Sequence, residues 1–135
     1  MLRIAQFGAG RIGAIHAANI AASPDAALRY VIDANPCAAR TLAERHSAAV
    51  ADIGTALGDP AVDAVLIASS TDTHADLIAA AARAGKAIFC EKPIDLSLAR
   101  VDSCLAVVRE TGARLFVGFN RRFDPSFAAL RARID

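Results

Sequence analysis

Near its start the chain reads Leu2-Arg3-Ile4-Ala5-Gln6-Phe7-Gly8-Ala9-Gly10-Arg11-Ile12-Gly13-Ala14-Ile15-His16. An apolar run is followed by three glycines spaced as GxGxxG and then by residues that suit a helix. The spacing alone is a weak signal, and its setting gives it content: a strand before, a helix after, and Asp33 closing the next apolar run 20 residues beyond Gly13 (33 − 13). Each glycine has a physical task. Gly8 permits a tight turn, Gly10 lets a pyrophosphate approach the backbone, and Gly13 lets helix and strand pack closely. The helix N-terminus then offers free N–H groups and the positive end of its dipole to an anion. Gly8, Ala9, Gly10, Arg11, Ile12 and Gly13 are therefore candidate cofactor-binding residues, and the ligand expected is a dinucleotide.

Asp33 decides which one. A carboxylate accepts hydrogen bonds from both hydroxyls of an adenosine ribose and repels a 2′-phosphate; two like charges about 4 Å apart at an effective dielectric of about 20 repel by about 4 kcal/mol at most. Ala34 and Asn35, which follow, bring no arginine to reverse that preference. NAD is expected over NADP.

Outward from this stretch, apolar runs of four to six residues alternate with helical segments through the whole chain, the pattern of a parallel sheet covered by helices. The strands expected are Leu2–Phe7, Leu28–Asp33, a short one near Ala48–Ala51, Ala64–Ser69, Ala87–Cys90 and Leu115–Phe119. Ala64-Val65-Leu66-Ile67-Ala68 is continuously apolar, as in strands buried on both faces. The fold class is α/β, a doubly wound parallel sheet with helices on both faces. Asn35-Pro36 reads as N-cap and first position of a helix over Cys37–His46. Leu98, Val101, Leu105 and Val108 step by 3, 4 and 3 and predict one buried helix face ending before Gly112. Asp124-Pro125 opens a last helix whose apolar stripe, Phe127, Leu130 and Ile134, has nothing left to pack on before Asp135. The expected division is a dinucleotide-binding domain over 1–120 and, over 121–135, the start of a connection to a substrate domain.

Composition agrees and narrows the partners. Of 135 residues 55% are hydrophobic and 21% charged, enough to bury a core without a disulfide or metal. The net charge of +1 gives no reason to expect nucleic acid or an anionic membrane. No apolar stretch approaches the roughly 20 residues that span a bilayer. No secretory signal pattern opens the chain, so a cytoplasmic location is expected. Cys37, Cys90 and Cys104 have no metal-ligand spacing; they are read as reduced and mostly buried, and no metal is expected.

The carboxyl edge of such a sheet is where ligands bind, and three further motifs fall there: Ser69-Ser70-Thr71-Asp72-Thr73-His74, Glu91-Lys92-Pro93, and Gly118-Phe119-Asn120-Arg121-Arg122-Phe123-Asp124. Proline keeps Lys92 off any helix. Together with the glycine loop, Ile15-His16-Ala17 and Cys90-Glu91-Lys92-Pro93-Ile94, these segments resemble the Gfo/Idh/MocA oxidoreductases, and within them bacterial inositol dehydrogenases, over essentially the whole chain.

The resemblance implies a Rossmann-type domain that binds NAD and takes part in hydride transfer from a secondary hydroxyl of inositol or a related polyol. It implies that Lys92 lies beside the nicotinamide ribose and the reacting hydroxyl as a catalytic residue. Ser69, Ser70, Thr71, His74, Glu91 and Asn120 would flank the cofactor, and Arg121 would meet substrate oxygens. Lysine suits its task because its pKa, near 10.4 in water, falls when the group is desolvated. His16, His46 and Cys90 are read as structural. Family members continue into a second α/β domain carrying an aspartate and a histidine four residues apart, the histidine acting as base, and assemble as homo-oligomers, here expected to be tetramers. The chain's three histidines include no such pair, so it is expected to bind NAD without turning substrate over. A sugar, dihydrodiol or keto-inositol oxidoreductase, or a stand-alone NAD-sensing module, are the alternative readings.

Overall fold

The computed structural model describes residues 1–134; Asp135, the end of the expected connecting segment, lies outside the described residues. Six strands form one sheet: β1 (Leu2–Phe7), β2 (Ala26–Ile32), β3 (Ala49–Val50), β4 (Ala64–Ile67), β5 (Ala87–Cys90) and β6 (Leu115–Val117), in spatial order β3-β2-β1-β4-β5-β6. Every neighbouring pair is parallel. The chain steps outward from β1 to one edge, crosses back and steps outward again from β4. A crevice therefore opens between the carboxyl ends of β1 and β4, where the order reverses.

The described residues form the helices α1 (Arg11–Ala22), α2 (Pro36–Arg45), α3 (Ile53–Gly58), α4 (Thr71–Arg83) and α5 (Leu98–Thr111), followed by α6 (Pro125–Arg131), which contributes nothing to the core. On one face Ala17 and Ile20 of α1 and Leu42 of α2 pack on Leu28, Val31 and Leu66. On the other, Ile78 and Ala81 of α4 and Cys104 of α5 pack on Phe7, Val65, Ile67 and Ile88. Helix starts follow the sequence. The Asn35 side chain accepts from the Cys37 and Ala38 amides with Pro36 at the first turn, and Asp124 does the same for Ser126 and Phe127 before α6. Gly112 closes α5 with φ +65°, in the left-handed region.

Several expectations are corrected. β2 begins two residues early, where Leu2 pairs with Ala26, and stops at Ile32 because Asp33 leaves the ladder. β4 stops at Ile67, two residues short of Ser69. β6 stops at Val117, because the amides of Phe119 and Asn120 donate to the carbonyls of Val117 and Gly118 and turn the chain into a 3-10 helix over Asn120–Phe123. The buried face of α5 centres on Cys104, with Val107 and Val108 against the core, whereas Leu98 is 74% exposed. All three cysteines are free, but Cys37 is exposed on the first turn of α2. Among the described residues no helix is long and apolar enough to cross a membrane.

Candidate cofactor site

The glycine loop closes over the end of β1. Gly8 has φ +106°, and a Cβ there would lie 2.4 Å from the Ala68 carbonyl oxygen and 2.6 Å from the Ser69 amide nitrogen. Only glycine lets the loop sit against the segment that follows β4. At Gly13 a Cβ would come within 2.2 Å of the Gly8 carbonyl oxygen, so the start of α1 could not close on the turn. Gly10 differs. A Cβ there would meet nothing within 4 Å, so the protein itself does not require a glycine at that position. The space beside it is open to a ligand, which matches the task the sequence leads one to expect of it. No side chain caps α1 at Gly10, which leaves its positive end to whatever anion arrives.

Asp33 is fixed before any ligand comes. Its Oδ2 accepts from the Ala9 amide at 2.6 Å and its Oδ1 from the Asn35 amide at 2.7 Å. The carboxylate is thereby tied to the glycine loop on one side and to the start of α2 on the other. Beside it opens a cleft of about 670 Å³ lined by Gly8, Asp33, Ser69, Ser70 and Thr73, with Ile32, Ile53 and Leu77 supplying apolar walls. A planar base could rest on those walls while the polar groups meet a sugar and phosphates. The Ser69 and Thr73 hydroxyls lie 2.7 Å apart, and Thr73 donates to the Ser70 carbonyl; Ser70 and Thr71 start α4, with no side chain capping that helix.

The far end of the crevice is built on β5. Glu91 leaves the strand with its Oε1 2.8 Å from His16 Nε2 on α1, and its Oε2 accepts from the Lys92 amide at 3.3 Å. The His16 ring also stands edge-on to Phe89, with centroids 5.2 Å apart. Lys92 is off any helix, as its proline neighbour requires; its side chain is exposed and makes no hydrogen bond among the described residues. Burial pushes the Cys90 thiol up to about 12, helped by Cys104 and Glu91, so this neighbour of Glu91 stays protonated and inert. Asn120 and Arg121 lie in the exposed 3-10 helix, where the Arg121 guanidinium sits 4.6 Å from the centre of the Phe127 ring.

His74 is corrected. Its side chain is buried, with Nδ1 2.8 Å from the Pro93 carbonyl oxygen and Nε2 3.1 Å from that of Ser69. It pins the Ser69 and Pro93 loops together instead of facing the cleft. Three contributors escaped sequence reasoning. His16 orients Glu91; Gln6 lies buried beneath the glycine loop; and Asp52, Ile53 and Gly54 line the cleft from the loop after β3. A signal existed for the last, because that loop leaves the same sheet edge as the others. The Thr55 amide and hydroxyl hold the Asp52 carboxyl below its ordinary range.

A pyrophosphate turn, an uncapped helix start, a fixed carboxylate on the neighbouring strand and an open Gly10 fit a dinucleotide without rearrangement. Residues 2–119 match the Gfo/Idh/MocA oxidoreductases, described as an NAD-binding Rossmann fold. The chain belongs to that family. It is 53% identical over 134 residues to the inositol 2-dehydrogenase of Rhizobium meliloti, a match covering 99% of this chain and 41% of that protein. Among solved structures, a myo-inositol dehydrogenase from Corynebacterium glutamicum superposes with a TM-score of 0.89 at 47% identity, over 99% of this chain and 40% of that one. The scyllo-inositol dehydrogenase of Lactobacillus casei, solved with bound NAD(H) and scyllo-inositol, superposes with a TM-score of 0.91 at 29% identity, over 100% and 41%. The chain thus spans about two-fifths of the length of the relatives it matches. It corresponds to the NAD-binding Rossmann region of those relatives.

Proposed function

We propose that the chain is the cofactor-binding part of a dehydrogenase that oxidises a secondary hydroxyl of inositol to a ketone. One observation carries the reading: Lys92, exposed and without a hydrogen-bond partner among the described residues, stands at the same sheet edge as the glycine loop and Asp33, just past the end of β5, the strand that pairs with β4. NAD, when bound, supplies the acceptor for the hydride that leaves the alcohol carbon. The amides at the start of α1 bind the pyrophosphate, and Asp33 takes the adenosine ribose hydroxyls. Ser69, Ser70, Thr71, Glu91 and Asn120 flank the cofactor. Lys92 donates to the substrate oxygen, orients it and helps to pass on its proton; Arg121 meets further polyol oxygens.

Within the chain, no histidine follows an aspartate by four residues, so it has no counterpart to the family's base. On this reading the chain binds NAD and does not turn substrate over by itself. The same reading makes the protein a cytoplasmic homo-oligomer, and the exposed Phe116, Phe119 and Phe123 beside Arg121 are apolar surface available for burial. The test is a chimera in which this chain replaces the matching part of the Rhizobium meliloti enzyme. Formation of NADH that depends on myo-inositol is expected. A chimera that folds and binds NAD, yet produces none with inositol, refutes the substrate assignment.

A further inference from the structure

We infer that Gln6 is the positioning residue that sets the glycine loop to receive a pyrophosphate. The inference rests on dinucleotide binding at Gly8–Gly13. Gln6 lies on β1, opposite Val31 and Leu66 in the ladder, and its side chain is fully buried. Its Nε2 donates both hydrogens, one to the Gly8 carbonyl and one to the Gly13 carbonyl, each at 2.9 Å. These two carbonyls belong to the first and last glycines of the loop, so a single amide ties its ends together from below.

The consequence is directional. Carbonyl oxygens carry negative partial charge and would repel a diphosphate if they turned outward. With that of Gly8 drawn in toward β1 and tied to that of Gly13, which α1 already directs along its axis, the exposed rim of the turn keeps its N–H groups for the ligand. Gly13 is part of the same arrangement: a Cβ there would lie 2.9 Å from the Gly8 carbonyl carbon and 3.0 Å from Gln6 Nε2, so its lack of a side chain makes room for the tie. An amide is the group that serves, since it alone among uncharged side chains brings two N–H donors on one atom. Gln6 Oε1 is the one buried side-chain oxygen or nitrogen without a hydrogen-bond partner among the described residues. A buried group left unpaired opposes folding, so what the amide contributes here is the hold of its nitrogen on the two loop carbonyls.

Gln6→Met keeps the length and volume of the side chain and removes both donors. The chain and this variant are titrated with NAD, ADP-ribose and adenosine. NAD and ADP-ribose, which carry the pyrophosphate, are expected to bind about tenfold more weakly to the variant, with adenosine unchanged. Unchanged NAD affinity, or an equal loss for adenosine, overturns the inference. A residue that merely stabilised the fold would not separate the ligands in this way. Should Gln6→Met not fold, NMR of the wild-type Gln6 side-chain amide decides: its resonances are expected to shift with ADP-ribose and not with adenosine, and the absence of a shift with ADP-ribose overturns the assignment. Wild-type chain that binds no NAD at all refutes the cofactor reading itself, a different outcome from a variant that binds as well as wild type.

Discussion

The two ends of the crevice are built to different standards. Around the glycine loop the frame is held: Gln6 ties Gly8 to Gly13, Asp33 holds the Ala9 and Asn35 amides, and Gly8 is wedged against Ala68 and Ser69. Around Lys92 only the backing is held, by His16 on Glu91 and His74 on the Pro93 carbonyl, while Lys92, Asn120 and Arg121 themselves stand in solvent. Phe116 stacks on Phe89 at 5.6 Å yet remains 49% exposed. Affinity thus resides in a preorganised region. The region around Lys92, where the chemistry is proposed, has a held floor and exposed functional side chains, so the two ends differ in preorganisation.

Substitutions can break this contrast. The largest effect is expected from Lys92→Met in the chimera: inositol-dependent NADH formation falls by about a thousandfold, while the affinity of the isolated chain for NAD falls by no more than about tenfold. Steady-state absorbance and calorimetry read the two quantities separately. Equal losses in both would erase the division of labour. Next comes Gly13→Ala, whose methyl group would collide with the Gly8 carbonyl; a destabilisation of about 3 kcal/mol is expected in urea unfolding, together with loss of NAD binding. A variant of wild-type stability and affinity would show that the loop is not rigid.

Asp33→Ala sharpens the comparison within the rigid end. It removes a charged acceptor aimed at the ribose, so NAD affinity should fall by roughly ten- to a hundredfold and the gap to NADP should narrow. The smallest effect is reserved for a residue away from the crevice. The Ala61 amide and then Arg29 hold the Asp59 carboxyl down at about 2, below its ordinary 3.8, with the Tyr30 hydroxyl assisting. A depressed carboxyl stabilises the fold above its unfolded pKa, and that contribution is lost as pH falls from about 4 to about 2. Asp59→Asn should therefore flatten the acid side of the stability profile over that interval, read by thermal unfolding, and leave NAD affinity untouched.

The strand alternation, the glycine loop, the caps at Asn35 and Asp124 and the place of Asp33 just past β2 were legible in the sequence because each follows a local rule. Gln6, His16 and His74 were not. Their partners lie 2 and 7, 75, and 19 and 5 residues away, and nothing along the chain distinguishes a histidine that meets a cofactor from one that binds two carbonyls. One hint was available: a lone amide inside an apolar strand, two residues before the first glycine, must find a partner if buried. The end of β6 was misjudged for a related reason, since apolar Phe119 suits a strand by composition and only the turn after Gly118 removes it.

Whether the glycine loop and Asp33 together hold NAD is decided by calorimetric titration of the chain with NAD and with NADP. One saturable site that prefers NAD is the predicted result. Absence of saturable binding, or equal or tighter binding of NADP, would contradict it.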